Sequence, residues 1–457
     1  MTLGECDASG CPYVPAEGHR PLWRRPVVLV ALALGIAGVG LLAFRDVPRG
    51  LRGANDLSMV YAASRAWLHG SNPYEFEDMN QAWVAGGNTP RPVDDRQFIA
   101  LYPPATYLLL FPLGALPWEL VRPAWAVVNL LAIAATAWLG VLLARRHGVG
   151  DPAVYLIVPA LVLVWGPNHT NQAMGQTSLV PMVGVLAAWY FALRRADLAA
   201  GVVLGLATAL KPQMAGLFVV LALMAGRWRL FGVATVTGLA VLLASIGRME
   251  LASVAWLPAM RDNLHWFGQQ STGDPSDANA LWHLIMNLPV LLHRFTNSQV
   301  VIEAISWLVT VGALAIAWTL NRQRHRRVES LRPVCPEAML MPAVVGVVSL
   351  LPVYHRFYDG MLLLPAAFYV VTVGLVRKRW PLPTWLVALG LAVFIPPNMA
   401  AVLHEAVEPR LPAGITTSWS WAAFVSTHQV WAMLVVLTGL LWALNRATWD
   451  KPQTRHR

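Results

Sequence analysis

An acidic residue, Asp56, stands at the beginning of a short amphipathic segment that follows the first apolar run. Apolar side chains recur in this segment at helical spacing and Gly70 ends the pattern, so the sequence predicts a helix. Two interpretations of Asp56 are open. Its carboxylate can cap the helix by accepting hydrogen bonds from the first free backbone N–H groups. Alternatively, it can act as a general base that removes a proton from a hydroxyl group at the membrane surface.

Three cationic or titratable residues, Lys211, His355 and Arg356, occur in short turns between apolar segments. Charges at the edge of a membrane are costly and indicate a functional site, and here they would present positive charge to a phosphate. Simpler interpretations are also open. Lys211 can extend to the lipid headgroups, and Arg356 can form an exposed i,i+3 ion pair with Asp359 that contributes little stability. Together with Asp56, the three residues predict an anion site beside a base.

Other polar residues adjoin these segments. Gln176 follows the polar run 168–172, which is interpreted either as a solvated loop or as part of the site. Tyr102 precedes two prolines that stiffen the chain where it approaches the membrane, a structural role that requires no further function. Each of these signals is weak when taken alone.

The composition indicates a membrane protein. Of 457 residues, 56% are hydrophobic and 13% charged, with a mean hydropathy of +0.51, whereas soluble domains are roughly 25% charged. The apolar residues form runs close to the roughly 20 residues that a helix needs to cross a bilayer. The net charge of +10 does not indicate nucleic-acid binding, because the cations form short clusters between apolar runs. Three cysteines are too few for a disulfide framework, and Cys6 and Cys11 are interpreted as free thiols in an N-terminal tail.

The apolar runs predict an all-α polytopic protein with about twelve membrane crossings. Residues 198–226 are too long for one ordinary crossing, and Lys211-Pro212 divides them into two short helices. The proline-rich run 99–117 is interpreted as a juxtamembrane or re-entrant segment. The predicted crossings are 26–44, 123–144, 152–166, 177–193, 198–210, 212–226, 229–247, 300–320, 338–353, 358–376, 383–397 and 425–444.

The charge distribution predicts the orientation. With these crossings, 21 of the 34 Lys and Arg residues but only 8 of the 24 acids lie on the side of the termini. Because positive residues favour the cytoplasm, we expect cytoplasmic tails at 1–25 and 446–457 around a membrane domain at 26–445. The long loops 45–122 and 248–299, like the turns that hold Lys211 and His355, then face outward. The sequence contains no G-x-x-x-x-G-K-[ST] nucleotide-binding loop, so ATP-driven transport by this chain alone is not expected.

Several of these segments resemble a known family, and the resemblance runs from about residue 56 to residue 359. The segments similar to the N-terminal signature of glycosyltransferase family 87 are Asp56-Leu57 with Tyr61, Gly70-Ser71-Asn72-Pro73-Tyr74, Tyr102-Pro103-Pro104 and Phe111-Pro112-Leu113. Those similar to its later motifs are Gly175-Gln176, Lys211-Pro212-Gln213 and the turn from His355 to Asp359. The family comprises GT-C-type enzymes, including polyprenyl-phosphate-mannose-dependent mannosyltransferases.

The resemblance implies a GT-C-like bundle in the bacterial inner (plasma) membrane that acts on its periplasmic face. The implied reaction is inverting, without metal or cofactor, and transfers a hexose such as mannose from a polyprenyl-phosphate donor to a glycolipid or glycan acceptor. Asp56 matches the family's general base, and Lys211, His355 and Arg356 would stabilise the phosphate leaving group. The weaker substrate-binding candidates are Tyr61, Tyr102, Gln176, Tyr358 and Asp359.

Three other functions remain as alternatives. An arabinofuranosyltransferase of the same family would use the same site. A lipid or glycan flippase would require internal repeats and charged residues near the middle of the bilayer, and neither pattern is evident. An O-antigen ligase or polymerase usually carries paired arginines in a large outer loop, whereas Arg248, Arg261 and Arg294 are scattered. The glycosyltransferase interpretation is therefore preferred.

Overall fold

The computed structural model describes residues 25–92, 95, 98–327 and 335–449. The predicted tails, with Cys6 and Cys11, lie almost entirely outside the described residues. Within the described part the chain is helical and contains no β-strand, and one isolated bridge joins Ile285 to Arg356. Among the described residues, six helices are long and apolar enough to cross a membrane: Pro26–Arg52, Trp118–Arg146, Trp228–Leu251, Gln299–Arg324, Phe357–Arg377 and His428–Ala447.

Shorter apolar helices accompany these six. A helix overlaps each of the twelve predicted crossings, yet in the part of the chain that the structure describes only six reach the length that a crossing requires at about 1.5 Å per residue. The structure confirms a polytopic helical membrane protein, and the count of about twelve crossings stays a prediction. The shorter helices are Pro104–Gly114, Val154–Val164, Leu179–Leu193, Asp197–Leu210, Pro212–Met224, Pro336–Ser349 and Leu382–Ala392.

The long helices differ in how much of their surface the protein covers. In the most apolar part of Phe357–Arg377, 78% of the residues are buried, against 22% in Pro26–Arg52 and 17% in Trp228–Leu251. Exposed apolar surface of this extent is stable in lipid rather than in water. The helices Pro26–Arg52 and Trp228–Leu251 therefore lie at the lipid-facing periphery. The helix Phe357–Arg377 lies at the centre of the bundle, and Asp359 is buried there.

A second, smaller core lies at one end of the bundle. The helices Asn55–Leu68, Phe76–Ala85 and Pro104–Gly114 pack there around aromatic side chains, with the rings of Tyr61 and Trp118 5.2 Å apart. The helix Pro104–Gly114 has 11 residues and rises only about 17 Å. Other apolar helices of the same length lie in predicted crossings, so the interpretation of the proline-rich run as a re-entrant segment stays a prediction.

The two ends of the bundle carry different groups of ion pairs. The helix Asp197–Leu210 begins at a residue predicted to be cytoplasmic and ends beside Lys211. The span Phe357–Arg377 runs from the Asp359 turn to a predicted cytoplasmic arginine. The candidate site residues therefore gather at the end opposite the predicted cytoplasmic charges. Those charges pair with one another, as in Arg25 with Asp151, Arg227 with Asp197 and Arg377 with Glu337.

One helix boundary and one loop differ from expectation. The second long helix begins at Trp118 rather than at Pro123, because the proline is accommodated inside the helix at the cost of one backbone hydrogen bond. The polar run 168–172 is not a solvated loop, since it forms most of the helix Gly166–Met174 and is largely buried. Two of its residues contact distant segments: His169 Nδ1 lies 2.6 Å from Asp46 Oδ2, and Asn171 Nδ2 donates to the carbonyl of Tyr358 at 2.8 Å.

Candidate active site

Asp56 lies in the first turn of the helix Asn55–Leu68 and does not cap it. The cap position is Ala54, which has a left-handed φ of 47° and receives no side-chain capping bond. Instead, Gln176 Nε2 donates a hydrogen bond of 2.6 Å to Asp56 Oδ2. The capping interpretation is therefore wrong, and the half-buried carboxylate is bound by a residue from a distant segment.

Gly175 allows this close approach. It ends the helix Gly166–Met174 in the left-handed conformation, with φ of 68°, which favours glycine. A Cβ atom added here would lie 2.9 Å from Leu57 Cβ and 3.0 Å from Ala54 Cβ. The missing side chain therefore lets the turn pack directly onto the helix that carries Asp56.

The carboxamide of Gln176 is fixed in orientation by its neighbours. The Tyr102 hydroxyl donates to Gln176 Oε1 at 3.2 Å, and the backbone N–H of Thr177 donates to the same oxygen at 3.2 Å. Thr177 Oγ1 in turn donates to the Tyr102 oxygen at 3.3 Å. Because Oε1 is occupied as an acceptor, the Nε2 donor group faces Asp56.

Ser178 belongs to a buried ion-pair cluster. Lys211 Nζ lies 2.6 Å from both Ser178 Oγ and Asp359 Oδ1, and Ser178 Oγ donates to the same carboxylate oxygen at 2.7 Å. His355 Nδ1 lies 2.9 Å from Asp359 Oδ2. The three consecutive residues 176–178 therefore connect the candidate base to this cluster.

The partners of Asp359 correct two simpler interpretations. Asp359 does not pair with Arg356, because Lys211 and His355 take its two carboxylate oxygens. Lys211 does not extend to the lipid headgroups, since its side chain is buried and its ammonium lies 5.2 Å from the centre of the Tyr358 ring. Lys211 and His355 thus both bind the Asp359 carboxylate. Any stabilisation of a phosphate by these two residues is therefore reduced by the negative charge of Asp359.

Arg356 is placed differently. It has no carboxylate partner in the described part of the chain: Nη2 lies 3.5 Å from the carbonyl of Thr272, and Nε is buried without a partner. Its guanidinium lies 5.9 Å from the centre of the Tyr354 ring. Arg356 lines a cavity of about 350 Å³ whose wall also includes Arg45, Asp46, Arg49, His169, Tyr358, Asn398 and Glu405.

Sequence reasoning missed several residues of this cavity. Arg45 and Arg49 follow the first apolar run and lie in a helix that continues beyond it. Their spacing of four residues places both on one face of that helix, which is the signal that would have found them. Asn398 and Glu405 come from a later segment, and no local pattern in the sequence indicates that they reach the same cavity.

Asp56 is electrostatically coupled to these groups. Burial raises the pKa of its carboxyl above the usual value, while the Gln176 hydrogen bond and the charges of Arg356 and Lys211 offset part of the increase. A raised pKa makes a carboxylate a better proton acceptor near neutral pH. Perturbed pKa values of this kind concentrate at functional sites.

Tyr61 is the one predicted site residue that lies elsewhere. It is fully buried in the smaller core, where its hydroxyl donates to the carbonyl of Leu116 at 2.8 Å, so its position is that of a packing residue. Among the described residues, no group of three or more His, Cys, Asp or Glu side chains is placed to hold a metal ion; metal-independent chemistry stays a prediction. The structure brings together Asp56, Tyr102, Gln176, Lys211, His355, Arg356, Tyr358 and Asp359.

Fold and site define a polytopic helical membrane protein with a buried acid–base network at one end of the bundle. The family model of glycosyltransferase family 87 matches residues 100–340, more than half of the chain. The chain belongs to this family and is a glycosyltransferase. No curated protein and no solved structure matches it. Gln176 and Lys211 lie inside the matched segment, whereas Asp56 and Asp359 lie outside it.

Proposed function

We propose that the protein transfers a hexose, in the first instance mannose, from a polyprenyl-phosphate donor to a glycolipid or glycan acceptor, with inversion and with Asp56 as general base. The observation that carries this proposal is the position of Asp56. Its half-buried carboxylate is oriented by Gln176 and lies in one electrostatic cluster with Arg356. A proton acceptor and a cation are therefore available in the same place.

The reaction balances with these groups alone. Asp56 removes the proton of the acceptor hydroxyl while the hydroxyl oxygen forms a bond to C1 of the sugar. The bond between C1 and the phosphate oxygen breaks, and its electron pair leaves with the phosphate. The proton ends on Asp56, and the anomeric configuration inverts because the hydroxyl enters opposite the leaving group.

Cations stabilise the charge that develops on the phosphate. Arg356 is the candidate for direct contact, because it lines the cavity without a carboxylate partner. The ring of His355 lies between two oxygen atoms, Asp359 Oδ2 at 2.9 Å from Nδ1 and the carbonyl oxygen of Ser349 at 3.0 Å from Nε2. Lys211 and His355 would act on the phosphate through their shared partner Asp359.

We place the site at the outer face of the bacterial inner membrane, in a GT-C-like bundle of about twelve crossings with both termini in the cytoplasm. The distribution of Lys and Arg supports this orientation, as does the separation of the site from the predicted cytoplasmic ion pairs. Nucleotide sugars are absent outside that membrane, so the donor must carry its sugar on a lipid. The proposed reaction uses no metal ion or cofactor.

The decisive experiment is sugar transfer by the purified protein in nanodiscs. With polyprenyl-phosphate mannose and a membrane glycolipid extract, we expect an acceptor whose mass increases by one hexose, and no product from Asp56→Asn in parallel. Polyprenyl-phosphate arabinofuranose in a second reaction distinguishes the two sugars. Transfer by Asp56→Asn at the parent rate, or no transfer from any polyprenyl-phosphate sugar, contradicts the proposal.

A further inference from the structure

An apolar groove lies beside the helix Pro26–Arg52. It encloses about 770 Å³ between this helix and the helices Trp118–Arg146 and Val154–Val164, and its walls include Leu42 and Ala134. This volume is within the range of ligand-binding pockets, roughly 300–1,000 Å³. Because the helix Pro26–Arg52 faces lipid over most of its surface, a hydrocarbon chain can enter the groove from the bilayer.

The groove and the cationic cavity lie on two sides of one helical segment. Leu42 and Val47 line the groove, whereas Arg45 and Arg49 line the cavity. Residues Leu42–Asp46 form a π-helical turn, an irregularity that is frequent at functional sites. At 1.5 Å per residue the segment from 42 to 49 rises about 10 Å, so a single amphiphilic molecule can reach from the groove to the cavity.

The cavity presents hydrogen-bonding groups that have no protein partner. Arg356 Nε and Asn398 Oδ1 are both buried and unpaired. Arg49 has no side-chain hydrogen bond or ion pair with any residue that the structure describes, and Arg45 uses Nε for Asp46 at 2.7 Å, which leaves its terminal nitrogens. Buried polar groups are nearly always satisfied. The buried Arg356 Nε therefore indicates an anionic ligand, to which the more exposed Arg45 and Arg49 add positive charge, and the Asn398 oxygen indicates a donor such as a sugar hydroxyl.

We propose that the cavity and the groove together bind an isoprenoid lipid phosphate. The guanidinium groups of Arg45, Arg49 and Arg356 hold the phosphate, and the groove holds the first isoprene units of the chain. This inference rests on the proposed function, whose donor is a lipid of this class, and it identifies the residues that bind that donor. It assigns the phosphate contact in large part to the first membrane helix.

Binding of undecaprenyl phosphate to the protein in nanodiscs, measured by native mass spectrometry, tests the phosphate contact. Arg45→Gln and Arg49→Gln are each expected to weaken binding roughly tenfold or more, as for a lost charge-assisted hydrogen bond. Arg52→Gln is the matched control, because Arg52 lies on the same helix and does not line this cavity. Parent-like binding by both Arg45→Gln and Arg49→Gln overturns the proposal.

A second pair of variants tests the isoprenoid chain. Ala134→Trp fills the groove and is expected to weaken binding of undecaprenyl phosphate, whereas Leu131→Trp places the same ring on the exposed face outside the groove and leaves binding unchanged. Equal binding by the two variants contradicts occupation of the groove. Excess inorganic phosphate or phosphatidylglycerol should not displace the ligand. Displacement by either one identifies a simple phosphate site or a general lipid contact and overturns the proposal.

The same preparations separate this inference from the proposed function. If binding depends on Arg45 and Arg49 but no sugar is transferred from any polyprenyl-phosphate donor, the lipid-phosphate site stands and the proposed function fails. If sugar is transferred and both arginine variants keep the parent's donor KM, the function stands and this site fails.

Discussion

Gln176 Nε2 lies 2.6 Å from Asp56 Oδ2, although the two residues are 120 positions apart in the chain. The bond holds one carboxylate oxygen, while Asp56 Oδ1 accepts no hydrogen bond in the described part of the chain. One oxygen is thus used for orientation and the other is available to an acceptor hydroxyl. This division of roles is what a general base requires and what a helix cap does not explain.

The first expected outcome concerns Asp56→Asn. Asparagine cannot take a proton from the acceptor, so the rate of sugar transfer should fall by about 10²–10⁴-fold with little change in thermal unfolding. Glu77→Gln, which neutralises an exposed acid in the neighbouring helix Phe76–Ala85, should keep parent activity. Both are measured in the same detergent preparation as the parent. A folded Asp56→Asn variant with more than about a tenth of the parent rate would show that Asp56 is not the base.

Removal of the Gln176 carboxamide should move the pH dependence. The Gln176 bond lowers the pKa of Asp56 against the larger, raising effect of burial, so Gln176→Ala should raise that pKa further. The base acts when deprotonated, and activity is lost as the pH falls through its pKa. The acid limb of kcat/KM should therefore shift to higher pH than in the parent. An acid limb that stays in place would refute the assignment of Gln176 as the residue that positions the base.

The buried ion pair of Lys211 and Asp359 should contribute measurably to the free energy of unfolding. Lys211→Met leaves the Asp359 carboxylate short of a partner, and breaking a buried pair typically costs about 3–5 kcal/mol. Asp359→Asn removes the negative charge of the pair and leaves the Lys211 ammonium without its carboxylate. The double variant should be less destabilised than the sum of the single variants, as measured by thermal or denaturant unfolding in detergent. Additive losses would mean that the two side chains do not interact in the folded protein.

Gly175→Ala tests the close packing beside Asp56. Gly226 is a matched control, because both glycines have φ of 68°, but a Cβ atom at Gly226 meets nothing within 4 Å. Both alanine variants carry the left-handed backbone cost of about 1–2 kcal/mol. Only Gly175→Ala adds a steric conflict, so it should lose more stability and most of its sugar transfer. Equal effects in the two variants would show that the contact with Leu57 and Ala54 is unimportant.

Cysteine labelling tests the orientation of the bundle. In a background whose native cysteines are replaced by serine, single cysteines at the exposed positions Glu77 and Arg410 should react with a membrane-impermeant reagent in intact cells. A cysteine at Gln323, exposed at the other end, should react only after lysis. Labelling of position 323 in intact cells would place the site on the cytoplasmic face and refute the proposed orientation.

The helices were largely predictable from the sequence, because helix formation and helix breaks depend mainly on residues that are neighbours in the chain. Lys211-Pro212 interrupts an apolar run, and proline lacks the N–H that a continuous helix needs, so the break between Leu210 and Pro212 followed from a few residues. The apolar runs themselves follow from the cost of exposing polar groups to lipid. The break needed no knowledge of distant contacts.

The partners within the site were not predictable in this way. Arg356 is three residues from Asp359, yet the carboxylate binds Lys211, 148 positions away. The choice depends on how the helix Phe357–Arg377 packs at the centre of the bundle, which no local spacing determines. The bond of Gln176 to Asp56 and the position of Asn398 in the cavity depend in the same way on the packing of segments far apart in the chain.

The ion pair of Lys211 and Asp359 also limits the order in which the helices can pack together during biosynthesis. Translation at about 5–20 residues per second delivers Asp359 roughly 7–30 s after Lys211, given the 148 residues between them. Throughout this interval a buried ammonium would lack its carboxylate, which is strongly unfavourable. The hairpin of Asp197–Leu210 and Pro212–Met224 should therefore keep its tip at the membrane surface and dock only after Phe357–Arg377 has been inserted. A nascent chain stopped before Asp359 would leave the bundle open and exposed to quality-control proteases.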